Sequence, residues 1–218
     1  MLFRLILAVL IIAFTIFGVF YLFKSPAQPI TGEAISETAE EIIAYVNEHP
    51  VTEEDVERAQ KYVEAQSGKI INRTEAIQRA INERLILQDA EKNNLSLTIE
   101  ETEAEISRIF ATQNKTLLDF KTRIESIGRD YNREIRYYRD QLLIQKRLNQ
   151  IIEPGISDMQ ALEYYNSNKD RMFTGEVVVP YEQISGQLKL ALDKKQDAEA
   201  IKEYFKNLYE NANIVYLK

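Results

Sequence analysis

Two short stretches at opposite ends of an otherwise helical sequence constrain this chain more than any other feature. Residues 41–47, "EIIAYVN", and residues 213–217, "NIVYL", are β-branched and aromatic, the composition of strands. Nearly everything between Thr52 and Glu210 carries a helical period instead. A lone strand leaves its backbone donors and acceptors unpaired. The strands near 42–47 and 213–217 are therefore expected to pair, closing residues 41–218 into one domain on its own C-terminal segment. The fold class that follows is mainly α, with a small strand pairing. Glu48-His49-Pro50 is expected as the turn after the first strand.

The helices announce themselves by their starts. Thr52 stands before Glu53, Glu54 and Asp55, and acids favour the positive end of a helix dipole. Thr98 with Glu101 and Ser157 with Gln160 have the spacing of capping boxes. Thr74 and Thr116 are read as caps of two further helices, although residues 72–74 and 114–116 also fit the N-glycosylation pattern. Gly68 and Gly128 read as helix stops. A long helix is expected from about Asp130 to Ile152. Another begins at Pro180, with Ile184, Leu188, Leu192, Ile201, Phe205 and Leu208 along one stripe. Between the last two helices the helical period fails, in "MFTGEVVVPYEQI", residues 172–184.

The first 24 residues differ from the rest. Leu5 to Phe23 is an uncharged run of nineteen residues, close to the roughly 20 needed to cross a bilayer. It ends in bulky residues, "FYLFKSP", where a cleaved signal would need small ones. Residues 1–24 are expected to be a transmembrane signal anchor, with the membrane contacted through residues 5–23. Residues 25–40, with two prolines and small residues, read as a flexible tether. Arg4 precedes the span, and Ser25 to Glu57 holds nine acidic residues and no Lys or Arg. That bias places the N-terminus in the cytoplasm and the C-terminal domain outside it.

The residues offer little for catalysis. There is no cysteine, one histidine and no glycine-rich phosphate loop. His49, without cysteines or a carboxylate pair for company, is read as a turn residue. No cofactor, metal or catalytic set is expected, and the chain is read as non-enzymatic. A net charge of −7 argues against a nucleic-acid partner. Basic residues and tyrosines alternate from Arg129 to Arg147, but Asp130, Glu134 and Asp140 interrupt them, so a salt-bridged exposed face is expected there.

The order of these pieces resembles the SurA/PrsA/PpiD-type extracytoplasmic chaperones, specifically their SurA N-terminal domain. The carrying segments are "AYVNEHPVTEEDVERA" (44–59), "AINERLILQDAEKNNL" (80–95), "LTIEETEAEISRI", "TLLDFKTRIESIG", "YNREIRYYRDQLLIQKRLNQII" and "SDMQALEYY" (157–165). Each is degenerate, and their order and spacing over residues 41 to 173 make the resemblance. In such proteins the chain after "YY" normally enters a parvulin-type prolyl isomerase domain before a helix and strand return. Only a handful of residues separate Phe173 from Val177 here, where a parvulin domain would need on the order of a hundred.

The resemblance implies a membrane-anchored holdase chaperone that binds unfolded or nascent exported polypeptides and lacks prolyl isomerase activity. The rival reading is a structural or regulatory subunit for one dedicated membrane or envelope protein. Apolar contact plus tyrosine hydrogen bonding suits weak, sequence-tolerant binding. The client contacts expected on that basis are Phe110, Leu118, Phe120, Ile127, Tyr131, Tyr137 and Tyr138. Aromatics at helical spacing commonly pack inward, so the core competes for each of them.

Overall fold

The computed structural model describes residues 41–152, 154–174 and 177–217. The anchor and tether expected over residues 1–40 lie outside the described residues. Among the described residues no helix is long and apolar enough to cross a membrane.

Strand β1 (Ile42–Val46) lies between β2 (His49–Thr52) and β3 (Ile214–Tyr216), antiparallel to both. The pairing of the two ends of the domain is as the strand signals require: Val46 sits opposite Ile214 and Ala44 opposite Tyr216. The expected turn at Glu48-His49-Pro50 is corrected. His49 and Pro50 already belong to β2, and the turn is Asn47-Glu48, with φ of 48° and 69°. Two consecutive left-handed residues match the right-handed twist of a tight hairpin, which this strand length demands.

Asn47 holds the turn in place. Its Oδ1 accepts from the Asn213 amide at 2.8 Å, and its Nδ2 donates to Gln88 Oε1 at 2.8 Å. Glu48 is exposed and carries a side chain in a conformation that favours glycine. Glu48→Gly is expected to raise stability by about 0.5 kcal/mol, relief of left-handed strain outweighing the added unfolded-state entropy, checked by the urea midpoint.

The helices are α1 (Glu53–Ser67), α2 (Arg73–Lys92), α3 (Ile99–Ala111), α4 (Leu117–Ser126), α5 (Tyr131–Ile151), α6 (Asp158–Met172) and α7 (Tyr181–Glu210). Thr52, Thr98, Thr116 and Ser157 cap as their sequence spacing predicts, each reciprocated by the third helical residue. The cap expected at Thr74 is instead Asn72, whose Oδ1 accepts from the Glu75 amide at 2.9 Å. Asparagine caps at least as well as threonine, and Glu75 completes its box. Pro180 occupies the cap position of α7 and offers no side-chain bond.

Three apolar clusters carry the domain. Ala44, Val46 and Val51 of the sheet pack on Val56 of α1 and Ile81 and Leu85 of α2, with Leu208 and Ile214 closing the edge. Ile106, Phe110, Phe120, Ile124, Ile135 and Tyr138 bind α3, α4 and α5 together. Ile86, Ile144 and Tyr204 join α2, α5 and the C-terminal half of α7. The helix α6 packs on α7 through Ala161 and Tyr165, the two residues it buries. Tyr165 packs edge-on against Phe173 and at a tilt against Tyr181, and its hydroxyl donates to Val179 O at 2.8 Å. The domain is thus a compact body from which α6 and the first half of α7 extend as an arm.

Candidate functional site

The seven residues singled out in the sequence fall into two environments. Phe110 and Phe120 are fully buried, 5.5 Å apart between ring centroids and edge to face. Tyr138 is buried against Phe120 at 5.2 Å, also edge to face. These three rings are interior, and the expectation that they form a client surface is corrected. They converge because the apolar stripes of α3, α4 and α5 face one another, so each ring gains more by leaving water than an open cleft could return.

Tyr131 is half-buried over Phe120, and its hydroxyl donates to Glu103 Oε1 at 2.7 Å. Burial, reinforced by that carboxylate, pushes its phenol well above the usual range. Tyr137 lies half-buried beneath the Arg58 guanidinium, 5.2 Å from its ring. Ile127 caps α4 and is half-buried, while Leu118 is 71% exposed. Of the seven, Leu118 alone is exposed.

The salt-bridged exposed face expected on α5 is also revised. Its charges reach across helices: Arg133 pairs with Glu54 of α1, and Arg147 Nε donates to Asp89 Oδ2 of α2 at 2.6 Å. Glu134 is buried beside Arg129, at 3.4 Å. Asp140 pairs with its chain neighbour Arg139.

A carboxylate lies in the α2–α5 seam. Glu83 Oε1 accepts from Arg79 Nε and Oε2 from Gln141 Nε2, each at 3.1 Å. Burial pushes its carboxyl above the usual range, against the pull of Arg79, with Asp55 of α1 adding to the rise. A carboxyl with a raised folded-state pKa binds its proton more readily in the fold than in the unfolded chain. Its contribution is fully present in acid and is lost as pH rises from the usual carboxyl range through the raised value. Glu83→Gln is expected to flatten that part of the stability profile, measured as the urea midpoint against pH.

The apolar surface that the sequence reading missed is on the arm. Met159 is 77% and Val177 88% exposed, and Leu162, Met172 and Val178 are exposed beside them. The signal was present in the broken period of residues 172–184. It was legible as a chain crossing, and the exposure of α6 was not, because that depends on α6 having one neighbour. The arm's set is fixed by a polar joint: Asp193 Oδ1 of α7 accepts from the Ile156 amide at 2.5 Å, and Gln196 Nε2 donates to Pro154 O at 3.2 Å. A Cβ on Gly155 would lie 3.3 Å from Asp193 Oδ1, so glycine lets the α5–α6 loop approach that carboxylate. Among the described residues no three His, Cys, Asp or Glu side chains gather as a metal site.

This helical body closed by a sheet of its two ends is similar in fold to a solved SurA-like structure. It superposes with a TM-score of 0.57 and 17% identity on a structure from work on PEB4 and Cj1289, two structurally related SurA-like chaperones of Campylobacter jejuni. The match covers 82% of this chain and 99% of that one. In sequence the chain is similar to the foldase protein PrsA of two Clostridium botulinum strains, 26% identical over 161 residues. That alignment takes in 66% of this chain and 48% of the relative, so the chain spans about half the length of the curated relatives it matches. No protein-family model matches the chain. The expected resemblance to the SurA/PrsA type of chaperone is borne out, in fold with the first and in sequence with the second.

Proposed function

We propose that this protein is an extracytoplasmic holdase chaperone, held at a membrane through residues 5–23, that binds unfolded polypeptide segments without isomerising prolyl bonds. The observation that carries the reading is the arm. Met159, Leu162, Met172, Val177 and Val178 stand exposed together on a chaperone fold. Exposed apolar side chains concentrated on one part of a domain mark an interaction site. Methionine suits partners of varied shape, being unbranched and polarisable. A parvulin domain would enter at this same crossing, and eight residues, 173–180, join α6 to α7 there.

The test is suppression of aggregation. The full chain in neutral detergent is titrated into a chemically unfolded client while light scattering is followed, beside a proline-limited refolding reaction. Suppression at near-stoichiometric chain, with no faster refolding, is the expected result. The triple variant Met159→Ser, Leu162→Ser, Val177→Ser is expected to weaken client binding by roughly 10-fold or more, the sum of three modest apolar losses at about 0.5–1 kcal/mol each, with thermal stability unchanged. No suppression of several unrelated clients would overturn the holdase reading and favour a dedicated membrane partner.

A further inference from the structure

The sheet presents two edges of different make. The β2 edge carries Pro50, which has no amide proton to offer, and runs directly into α1. The β3 edge carries no proline and no charge from Asn211 to Leu217. Proteins commonly blunt an open edge with proline, charge or a bulge. On β3 none of these is present.

The hydrogen-bond parity of β3 is fixed by its pairing with β1. The Asn47 amide donates to Asn213 O and the Leu217 amide to Ile43 O, with Val215 opposite Tyr45. Bonding alternates along an antiparallel ladder, so Asn213, Val215 and Leu217 turn their backbone toward β1. Ile214 and Tyr216 therefore turn their amide and carbonyl groups toward the side where no further strand lies among the described residues. Around them Val215, Tyr216 and Leu217 are exposed, Tyr216 to 57%. Val215 also extends a cross-strand apolar row, Pro50–Tyr45–Val215.

Two observations define the occupant. A three-residue edge falls far below the roughly 1,200 Å² that a stable specific interface buries, which disfavours a lasting pair of copies. The sheet and its approaches, residues 41–52 and 210–218, carry Glu41, Glu48 and Glu210 against one basic residue, Lys218. The complementary partner is an extended segment with apolar residues at alternate positions and basic residues at its ends.

We propose that β3 receives such a segment of an unfolded client as a fourth strand. This deepens the chaperone reading and rests on it. Backbone bonding is blind to sequence, so the edge grips many clients alike. The helix α7, thirty residues and so about 45 Å long, runs from this edge to the far end of the arm, so a single unfolded chain can engage both.

The test uses a synthetic peptide of alternating valine and threonine with two lysines at each end, and the full chain in neutral detergent. Bound peptide is expected to slow hydrogen exchange at the Ile214 and Tyr216 amides, and added salt to weaken it. Glutamate-flanked and backbone N-methylated versions are each expected to bind about 10-fold more weakly, the methyl group removing strand hydrogen bonds. Tyr216→Pro deletes one outward amide, and a similar loss is expected; Tyr216→Thr, which keeps it, is expected to bind like the parent. Equal affinity of the N-methylated peptide overturns the proposal, independently of how any variant folds. Protection of the two amides that grows with protein concentration and needs no peptide also overturns it, in favour of a second copy. If the parent suppresses aggregation and neither amide is protected, the edge proposal fails and the chaperone reading stands. If the parent neither suppresses aggregation nor binds the peptide, the chaperone reading fails and takes this one with it.

Discussion

Replacing Phe120 with alanine is expected to destabilise the domain by about 4 kcal/mol, the range for a large aromatic removed from a well-packed core. Phe120 is fully buried and meets three other rings edge to face: Phe110, Tyr131 and Tyr138, at centroid distances of 5.5, 6.1 and 5.2 Å. It comes from α4, a helix of ten residues whose two buried side chains are Phe120 and Ile124. A short helix has little stability of its own, so its tertiary anchors hold it. The loss therefore has two parts, the apolar transfer of the ring and the cavity it leaves among Phe110, Ile135 and Tyr138. Phe120→Leu fills most of that space and is expected to cost about 1.5 kcal/mol. Urea unfolding monitored by circular dichroism checks both values. A Phe120→Ala loss below about 1 kcal/mol would mean that the ring is a surface contact after all, and would return it to the client-binding set.

The second large effect is expected at Asp89. Its Oδ2 accepts from Arg147 Nε at 2.6 Å and from the Tyr204 hydroxyl at 2.7 Å, so one carboxylate oxygen ties α2 to α5 and α7. The guanidinium also lies 5.6 Å from the Tyr204 ring centroid. The Arg147 and Asp89 side chains are mostly shielded from solvent. Asp89→Ala leaves a shielded cation and a phenol without their acceptor, and about 3 kcal/mol of destabilisation is expected, the lower end of the range for breaking a fully buried pair. Asp89→Asn keeps an acceptor and loses charge assistance, so about 1.5 kcal/mol is expected. The local consequence matters more than the total. Tyr204 fastens the C-terminal half of α7, and β3 follows α7 directly. Hydrogen exchange in Asp89→Ala should rise first across α7 and β3, ahead of α3 to α5. Uniform acceleration across the domain would show that α7 has no separate latch.

The helix starts were legible because capping is local. Thr98 and Glu101, or Ser157 and Gln160, exchange bonds across three residues whatever else the chain does. The start of α2 was misplaced by two residues because Asn72 and Thr74 are both competent caps, and nothing in their spacing chooses between them. The hairpin turn was misplaced because His49-Pro50 resembles a turn in composition. Where β2 begins is set by its register against β1, with Tyr45 opposite Pro50.

The candidate site was less legible than the fold. The aromatic run of α4 and α5 was visible as a stripe, and a stripe fixes a helix face without naming what that face meets. Phe110, Phe120 and Tyr138 meet each other and become core. Met159 and Leu162, unremarkable on a helix that looked like the others, stay exposed, because α6 packs mainly on α7. The sequence by itself determined where six of the seven helices start and that two distant strands must pair. Each of those rests on neighbours in the chain or on the requirement that backbone groups be bonded. Only the tertiary structure decided which apolar residues are hidden, which charges cross between helices and which strand edge stays open. Burial is a property of the partner as much as of the residue, and the partner is remote in sequence.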